Sequence, residues 1–316
     1  MYSIVVPAYN EQETIEELWR RITAVMASVG GDYEVLFVDD GSTDATPAII
    51  RRLHAQDPRV RLLRFSRNFG HQAAITAGLD YARGQAVIVM DADLQDPPEV
   101  IPAMIAKWRE GYDVVYAVRK RRHGEGLWKR LTAALYYRLL ARLAHVPIPY
   151  DTGDFRLMSR AVVDVLRELR ERARFLRGLS AWVGFRQVGI EYERAPRYAG
   201  TTKYSVWRMT RFALDGITAF SSAPLYAALY IGIILLIGVA LGLGYFVGLG
   251  LVAGRPPAAW AWVALGFLFL MAWQFIALGL LGLYIARIHD EVKGRPLYVV
   301  AETLPEPSGP ASATEP

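Results

Sequence analysis

Cysteine is absent, which excludes disulfide scaffolds, zinc–thiolate centres and thiol nucleophiles and suits a domain facing a reducing compartment. The P-loop pattern Gly-x-x-x-x-Gly-Lys is also missing, as is a strand-following Gly-x-Gly-x-x-Gly, so P-loop and dinucleotide-binding readings fall away. No zinc-finger or RNA-binding signature accompanies the basic residues, and nucleic acid is not an expected partner. The opening run Ile4-Val5-Val6 is too short, unflanked by basic residues and broken by Pro7, so a signal peptide is not expected.

Charge is missing from two long stretches, residues 216–254 and 256–286. Each exceeds the ~20 apolar residues that cross a bilayer as a helix. The sequence therefore predicts a transmembrane hairpin over 223–287, with spans at about 223–252 and 260–286 joined by a turn around Arg255. The chain has 316 residues, is 53% hydrophobic and 21% charged, and carries a net charge of +5, so its charge is crowded onto the remainder. Arg208 and Arg211 before the hairpin and Arg287, Lys293 and Arg295 after it outnumber the single Arg255 of the turn. By the positive-inside rule, both termini and the charged domain lie on the cytoplasmic side of the inner (plasma) membrane. Residues 205–222 are expected to form an interfacial helix and 288–316 a cytoplasmic tail, disordered from about Ala301 because of its Pro, Ser, Glu and Ala content.

Residues 1–204 read as one α/β domain. Short β-branched runs at Tyr2–Val6, Val35–Val38, Val60–Phe65 and Ala86–Met90 alternate with helical patterns at Glu13–Ser28, Pro47–Ala55 and Gln72–Ala82. That alternation predicts βαβ units and a mostly parallel sheet. Polar residues gather after each strand, where open α/β sheets bind ligands. Asp44 reads as a helix cap. Asp39, Asp40, Asp91 and Asp93 converging on one sheet edge would repel unless a cation joined them. Asp91, Asp93 and Gln95 offer hard oxygen donors suited to Mg²⁺ or Mn²⁺, and Arg67, before a helix N-terminus, sits where an anion would be held. Leu127 to Ala144 forms a basic amphipathic pattern that either packs on the sheet or lies on a membrane surface. Its Lys129 and Arg130 lie on the basic surface of that pattern.

The series Val6-Pro7-Ala8-Tyr9-Asn10-Glu11, Asp39-Asp40-Gly41-Ser42-Thr43-Asp44 and Asp91-Ala92-Asp93-Leu94-Gln95-Asp96-Pro97-Pro98 resembles family 2 glycosyltransferases of GT-A fold. With Asp151-Thr152-Gly153-Asp154-Phe155-Arg156-Leu157, the segment Arg197 to Tyr204 and two C-terminal spans, it is similar to the polyisoprenyl-phosphate branch. That branch includes dolichol-phosphate mannose synthases and bacterial undecaprenyl-phosphate glucosyl- and aminoarabinosyl-type transferases. The resemblance implies a nucleotide-sugar donor, with a UDP-sugar favoured over GDP-mannose, a polyprenyl-phosphate acceptor, inversion at the anomeric carbon and a homotetramer. It further implies nucleoside contacts at Pro7, Tyr9, Glu11, Val38, Asp40 and Asp91, a metal site at Asp91, Asp93 and Gln95, and phosphate or acceptor contacts at Arg119, Lys129, Arg130, Arg197 and Lys203. Asp154, with Asp93 the expected catalytic group, would act as a base or else orient Arg156 or the sugar. Mannose synthases often carry Arg and Ser in the segment matching Lys129 to Ala133; here it reads Lys-Arg-Leu-Thr-Ala. A processive polysaccharide synthase is disfavoured by the missing Gln-x-x-Arg-Trp signature, and a catalytically silent membrane scaffold by the clustered acids.

Overall fold

The structure, a computed structural model, describes residues 1–119, 152–172, 174–193 and 259–305, with isolated helical positions at 234, 237, 238 and 241. The chain divides into two compact units, Met1–Ser205 with Arg295–Pro316, and Val206–Gly294.

In the first unit the strands are β1 (Tyr2–Ala8), β2 (Tyr33–Asp39), β3 (Val60–Phe65), β4 (Ala86–Val89), β5 (Val114–Arg119), β6 (Thr152–Ser159), β7 (Gln187–Tyr192) and β8 (Val300–Leu304). They form one sheet in the order β7-β5-β6-β4-β1-β2-β3-β8. Pairings among β3, β2, β1 and β4, and between β5 and β7, are parallel; β6 runs antiparallel to both neighbours and β8 antiparallel to β3. This is the mostly parallel α/β arrangement expected from the alternating pattern. The helices are α1 (Ile15–Val29), α2 (Thr46–Gln56), α3 (His71–Tyr81), α4 (Ile101–Arg109), α5 (Arg160–Glu168) and α6 (Leu176–Trp182).

Every residue of β1, β2 and β4 is buried, as continuous apolar strands covered on both faces should be. Helix α1 shows why the covering layer forms. Ile15, Leu18, Ile22 and Met26 recur at helical spacing and are all buried, and the helix closes where the Gly30 N–H donates to the Met26 carbonyl at φ 73°. Because β2 and β3 lie on one side of β1 and β4 on the other, the switch point of the sheet falls between β1 and β4. The loops after these two strands, and the start of antiparallel β6 beside β4, therefore share one edge.

The expectation of a tail disordered from about Ala301 is corrected for residues 301–304, while residues 306–316 lie outside the described residues. Residues Val300–Leu304 are an edge strand on β3, and the chain from Arg295 onward belongs to the first unit. Side-chain pairing explains it. Glu302 accepts from Arg51 at 2.7 and 2.6 Å, Tyr298 stacks on Phe65 at 5.1 Å between centroids, and its hydroxyl donates to Asp80 at 2.7 Å.

The second unit contains α7 (Ala259–Val292), a continuous helix of 34 residues that covers the expected span at 260–286. Several of its side chains lie outside the described set, and over the described residues alone no helix is long and apolar enough to cross a membrane. The span expected at 223–252, apart from four isolated positions, lies outside the described residues, as do the interfacial helix at 205–222 and the amphipathic stretch from Leu127.

Candidate active site

The loops after β1 and β2 are locked together by hydrogen bonds. Asn10, in the left-handed region at φ 56°, donates its N–H to Ser42 Oγ at 2.9 Å and accepts from the Thr43 N–H at 2.9 Å through its own Oδ1. The Glu11 N–H donates to Thr46 Oγ1 at 2.9 Å. Asp44 accepts from the Thr46 N–H at 2.9 Å in a turn just ahead of α2, whose N-cap position is Ala45 rather than the expected Asp44. Of the expected nucleoside contacts, Pro7 and Val38 are buried partners in the β1–β2 register, Tyr9 just after β1 is exposed, and Glu11 accepts from the Thr14 hydroxyl at 3.1 Å.

Asp39 and Asp40 are both held by protein partners. Buried Asp39 accepts from the Ser42 N–H at 3.1 Å and lies 3.2 Å from Arg64 Nε. Asp40 turns its carboxylate to the loop before α3 and accepts from the N–H groups of Phe69 at 2.7 Å and Gly70 at 2.9 Å. Burial raises its pKa, and those backbone donors offset the rise only in part. A Cβ on Gly41, at φ +70°, would sit 2.5 Å from the Arg67 carbonyl carbon, so glycine is required for this loop to close. Within the loop, the Arg67 guanidinium covers the Phe69 ring at 4.0 Å.

At the switch point, acidic and basic side chains alternate. Asp91 Oδ1 lies 3.5 Å from His71 Nε2, which lies 3.3 Å from Asp154 Oδ2; Arg177 Nε of α6 then donates to Asp154 Oδ1 at 2.9 Å. Asp154 stands at the start of β6 and is 4% exposed. Burial works to raise its pKa, but the His71 bond and the Arg177 charge overcome that and hold it far below the usual carboxylate range. Burial pulls His71 downward, and bonding to Asp154 with the Asp91 charge outweighs it, so His71 is raised. Asp91 moves the opposite way from Asp154, pushed up to about 6 by burial and then by the charges of Asp96, Asp154 and Asp93, against the pull of His71.

Asp93 and Gln95 follow on the same turn, where Leu94 is left-handed at φ 59° and the Gln95 N–H donates to Asp93 Oδ1 at 3.1 Å. Among the described residues no three His, Asp or Glu side chains gather as a complete metal cage. The donor set nevertheless fits a divalent ion. Asp91 Oδ1 is buried without a hydrogen-bond partner, its carboxylate form is disfavoured by burial and then by neighbouring acids, and two carboxylates leave positions open for a substrate diphosphate.

Arg119, at the end of β5, lies over Gly153, where a Cβ would come within 2.9 Å of its Nη2, and its Nε donates to the Tyr192 hydroxyl at 3.4 Å. That hydroxyl donates in turn to buried Asp96 at 2.5 Å. Arg156 feels the Asp154 charge, as the expected pairing implied, but makes no hydrogen bond to it. It is buried and donates instead to the Gly153 carbonyl at 2.9 Å and to Ser180 Oγ. Lys129, Arg130, Arg197 and Lys203 lie outside the described residues. Sequence reasoning missed His71, Gln72 and Arg177. His71 could have been noticed as the first residue of a helix after a polar loop, whereas nothing around Arg177 marks it.

Residues 3–167, just over half of the chain, match the family described as Glycosyl transferase family 2. The chain belongs to this family. This family 2 protein is 49% identical over 302 residues to the uncharacterized glycosyltransferase YkcC of Bacillus subtilis (strain 168), covering 96% of this chain and 94% of that one. It is 44% identical over 300 residues to the uncharacterized glycosyltransferase sll0501 of Synechocystis sp. (strain ATCC 27184 / PCC 6803 / Kazusa), covering 95% and 94%. To the SfII prophage-derived bactoprenol glucosyl transferase of Shigella flexneri it is 42% identical over 301 residues, covering 95% and 97%. The chain is thus a glycosyltransferase, and its mostly parallel α/β sheet is the GT-A fold that the motifs implied.

Proposed function

We propose that this glycosyltransferase moves a sugar from a nucleotide-sugar donor, with a UDP-sugar favoured, to a polyprenyl phosphate, with undecaprenyl phosphate favoured. The observation that carries this reading is the 42% identity, across nearly the full length of both chains, with a bactoprenol glucosyl transferase. The alternating charges of the site give the reading its mechanism.

Asp91 and Asp93, with the Gln95 amide oxygen, would hold Mg²⁺ or Mn²⁺, which supplies charge neutralisation for the leaving diphosphate. Arg119 stands on the same edge as a second cation for the donor phosphates, and the exposed Tyr9 ring is available to the nucleoside. The attacking atom is a phosphate oxygen of the lipid. A phosphate monoester with second pKa near ~6 is already largely dianionic at neutral pH, so the attack needs no strong base. Asp154, kept ionised by His71 and Arg177, is a poor proton acceptor. Its fixed negative charge instead orients the sugar and stabilises the positive charge that develops at the anomeric carbon, by the same electrostatic logic as other preorganised sites. Attack opposite the diphosphate inverts that centre.

A membrane-anchored enzyme suits an acceptor that does not leave the bilayer. Helix α7, at ~1.5 Å per residue, exceeds a hydrocarbon core of ~30 Å, and its sequence is uncharged until Arg287. Trp260 is 75% exposed and Val263, Phe267 and Ile285 are more than half exposed, an apolar display that lipid would cover. The reading therefore keeps the two-span hairpin at 223–287, the catalytic unit on the cytoplasmic face of the plasma membrane and a homotetrameric assembly.

The test is transfer of radiolabelled sugar from candidate nucleotide sugars to undecaprenyl phosphate, with and without Mg²⁺. Lipid-linked product that needs the metal and disappears in Asp93→Ala is expected. Absence of lipid-linked product from every donor, or undiminished transfer by Asp93→Ala, would refute the reading.

A further inference from the structure

Helix α6 is only seven residues long, yet it is fastened at both ends to the strand and helix that build the site. At its start, Gln72 Oε1 accepts from the Leu176 N–H at 3.1 Å, while the Nε2 of the same side chain donates to Asp154 Oδ2 at 3.4 Å. One amide thus joins α3, β6 and α6. Further along, Arg156 donates to Ser180 Oγ, the Ser180 hydroxyl donates to the Arg177 carbonyl at 3.1 Å, and the Ser180 carbonyl accepts from Gln187 Nε2 at 2.6 Å. Between these anchors Arg177 projects to Asp154 with both Nε, at 2.9 Å, and Nη2, at 3.3 Å. A guanidinium held in a two-point fork fixes the plane of a carboxylate, which a single ammonium contact does not.

We propose that Arg177 is the positioning residue of the transfer reaction, setting the orientation of Asp154 from a frame made by Gln72 and Ser180. This rests on the reading of Asp154 as the group that faces the sugar. Buried Arg156 carries the frame and makes no hydrogen bond to Asp154; the two guanidiniums divide the work, one holding α6 and the other holding the carboxylate. Residues outside the expected nucleotide and metal contacts then control turnover. Removing the Arg177 side chain, which bonds Asp154 through two nitrogens, spares the donor-binding loops after β1, β2 and β4 and releases the orientation of Asp154.

The experiment is steady-state transfer by full-length wild type, Arg177→Ala, Arg177→Lys and Gln72→Ala, together with Mn²⁺–UDP binding and the Arg177 Nε–H NMR resonance of the detergent-solubilised protein. In Arg177→Ala, kcat should fall about 100-fold, the cost typical of a misplaced catalytic group, while donor KM and Mn²⁺–UDP affinity stay within about twofold. Added guanidinium ion should restore part of kcat, and Arg177→Lys should fall less while melting with wild type. The Nε–H resonance should be slow to exchange in wild type and fast in Gln72→Ala. Wild-type kcat in Arg177→Ala, losses that track only melting temperature, or a freely exchanging Nε–H in wild type would overturn the proposal. Inactive wild type with a protected Nε–H would instead refute the acceptor reading and leave the clamp standing.

Discussion

Arg177 meets Asp154 as a two-point ion pair, Nε to Oδ1 at 2.9 Å and Nη2 to Oδ2 at 3.3 Å, and this pairing decides the charge at the centre of the site. Two carboxylates on the same edge, Asp154 and Asp91, are driven in opposite directions, one kept ionised by cations and the other pushed toward protonation by burial and other acids. Separation of that kind assigns roles: the first is a permanent anion and the second is the group that gains from a cation.

Asp154 titrates far below neutrality, so transfer should show no inflection from it between about pH 5 and 8. Its depressed pKa also predicts a direction in stability. The contribution of a lowered carboxylate is fully present above its unfolded pKa of ~3.9 and is lost as pH falls toward the folded value. Asp154→Asn should therefore be less stable than wild type by a constant margin at neutral pH, with the gap narrowing only below about pH 4. Urea unfolding at several pH values, read beside a pH–rate profile, checks both. A wild-type rate that rises with an apparent pKa near 6, vanishing in Asp154→Asn, would mean that Asp154 does act as a base.

Asp91 carries the opposite sign. With its pKa raised to about 6, the folded protein holds a proton there that the unfolded chain releases near ~3.9, so stability declines as pH rises from about 4 to about 6. Asp91→Asn removes the penalty and should stabilise the metal-free protein at pH 7.5 by on the order of 2 kcal/mol, while abolishing transfer. Mn²⁺ at a hundred times its dissociation constant should add ~2.7 kcal/mol to wild type and little to Asp91→Asn. Thermal shift with and without Mn²⁺ measures both effects; equal metal stabilisation of the two proteins would exclude Asp91 as a ligand.

The strands and the acids after them were legible because the signals are local. An apolar run that ends in Asp91-Ala92-Asp93 announces a buried strand and its ligand edge within a few residues. The partners of those acids were not legible. Asp40 is bonded by backbone N–H groups 29 and 30 residues away, and Arg177 reaches Asp154 from a short helix whose sequence carries no motif. Strand β8 was misread for the same reason. Its composition looks like a tail, and what orders it is distant in sequence: β3, Phe65 and Asp80 against Tyr298, and Arg51, 251 positions from Glu302. Local pattern specifies elements, whereas charge satisfaction is settled by tertiary neighbours.

Gly41 offers a test of the donor side that spares every charged residue. Alanine there would force a left-handed backbone on a residue with a Cβ, costing about 1–2 kcal/mol, and would place that carbon 2.5 Å from the Arg67 carbonyl carbon. The loop must retreat, taking with it the Phe69 and Gly70 N–H groups that satisfy Asp40. Gly41→Ala should raise donor KM about tenfold, with a smaller change in kcat, the pattern of lost ground-state binding. UDP binding by calorimetry should weaken in parallel; unchanged UDP affinity would show that the loop plays no part in holding the donor.

The strand that follows the second unit should govern the same loop from its other end. The Ser66 N–H, where β3 gives way to the loop, donates to the Val299 carbonyl at 3.0 Å, and Tyr298 clasps β3 by stacking on Phe65. Tyr298→Ala removes that ring and its bond to Asp80, and should cost about 2 kcal/mol, near the low end for loss of a large packed side chain. Glu302→Ala breaks pairs with Arg51 and Arg64 that are partly exposed, so its cost should stay below about 1 kcal/mol. Hydrogen exchange should then separate local from global effects. In Tyr298→Ala the Ser66 amide and the β3 amides should lose protection while β1 and β4 keep theirs, since only the outer edge is released. Uniform loss across the sheet would mean that β8 stabilises the whole catalytic unit, and unchanged Ser66 exchange would mean that it does not hold the loop at all.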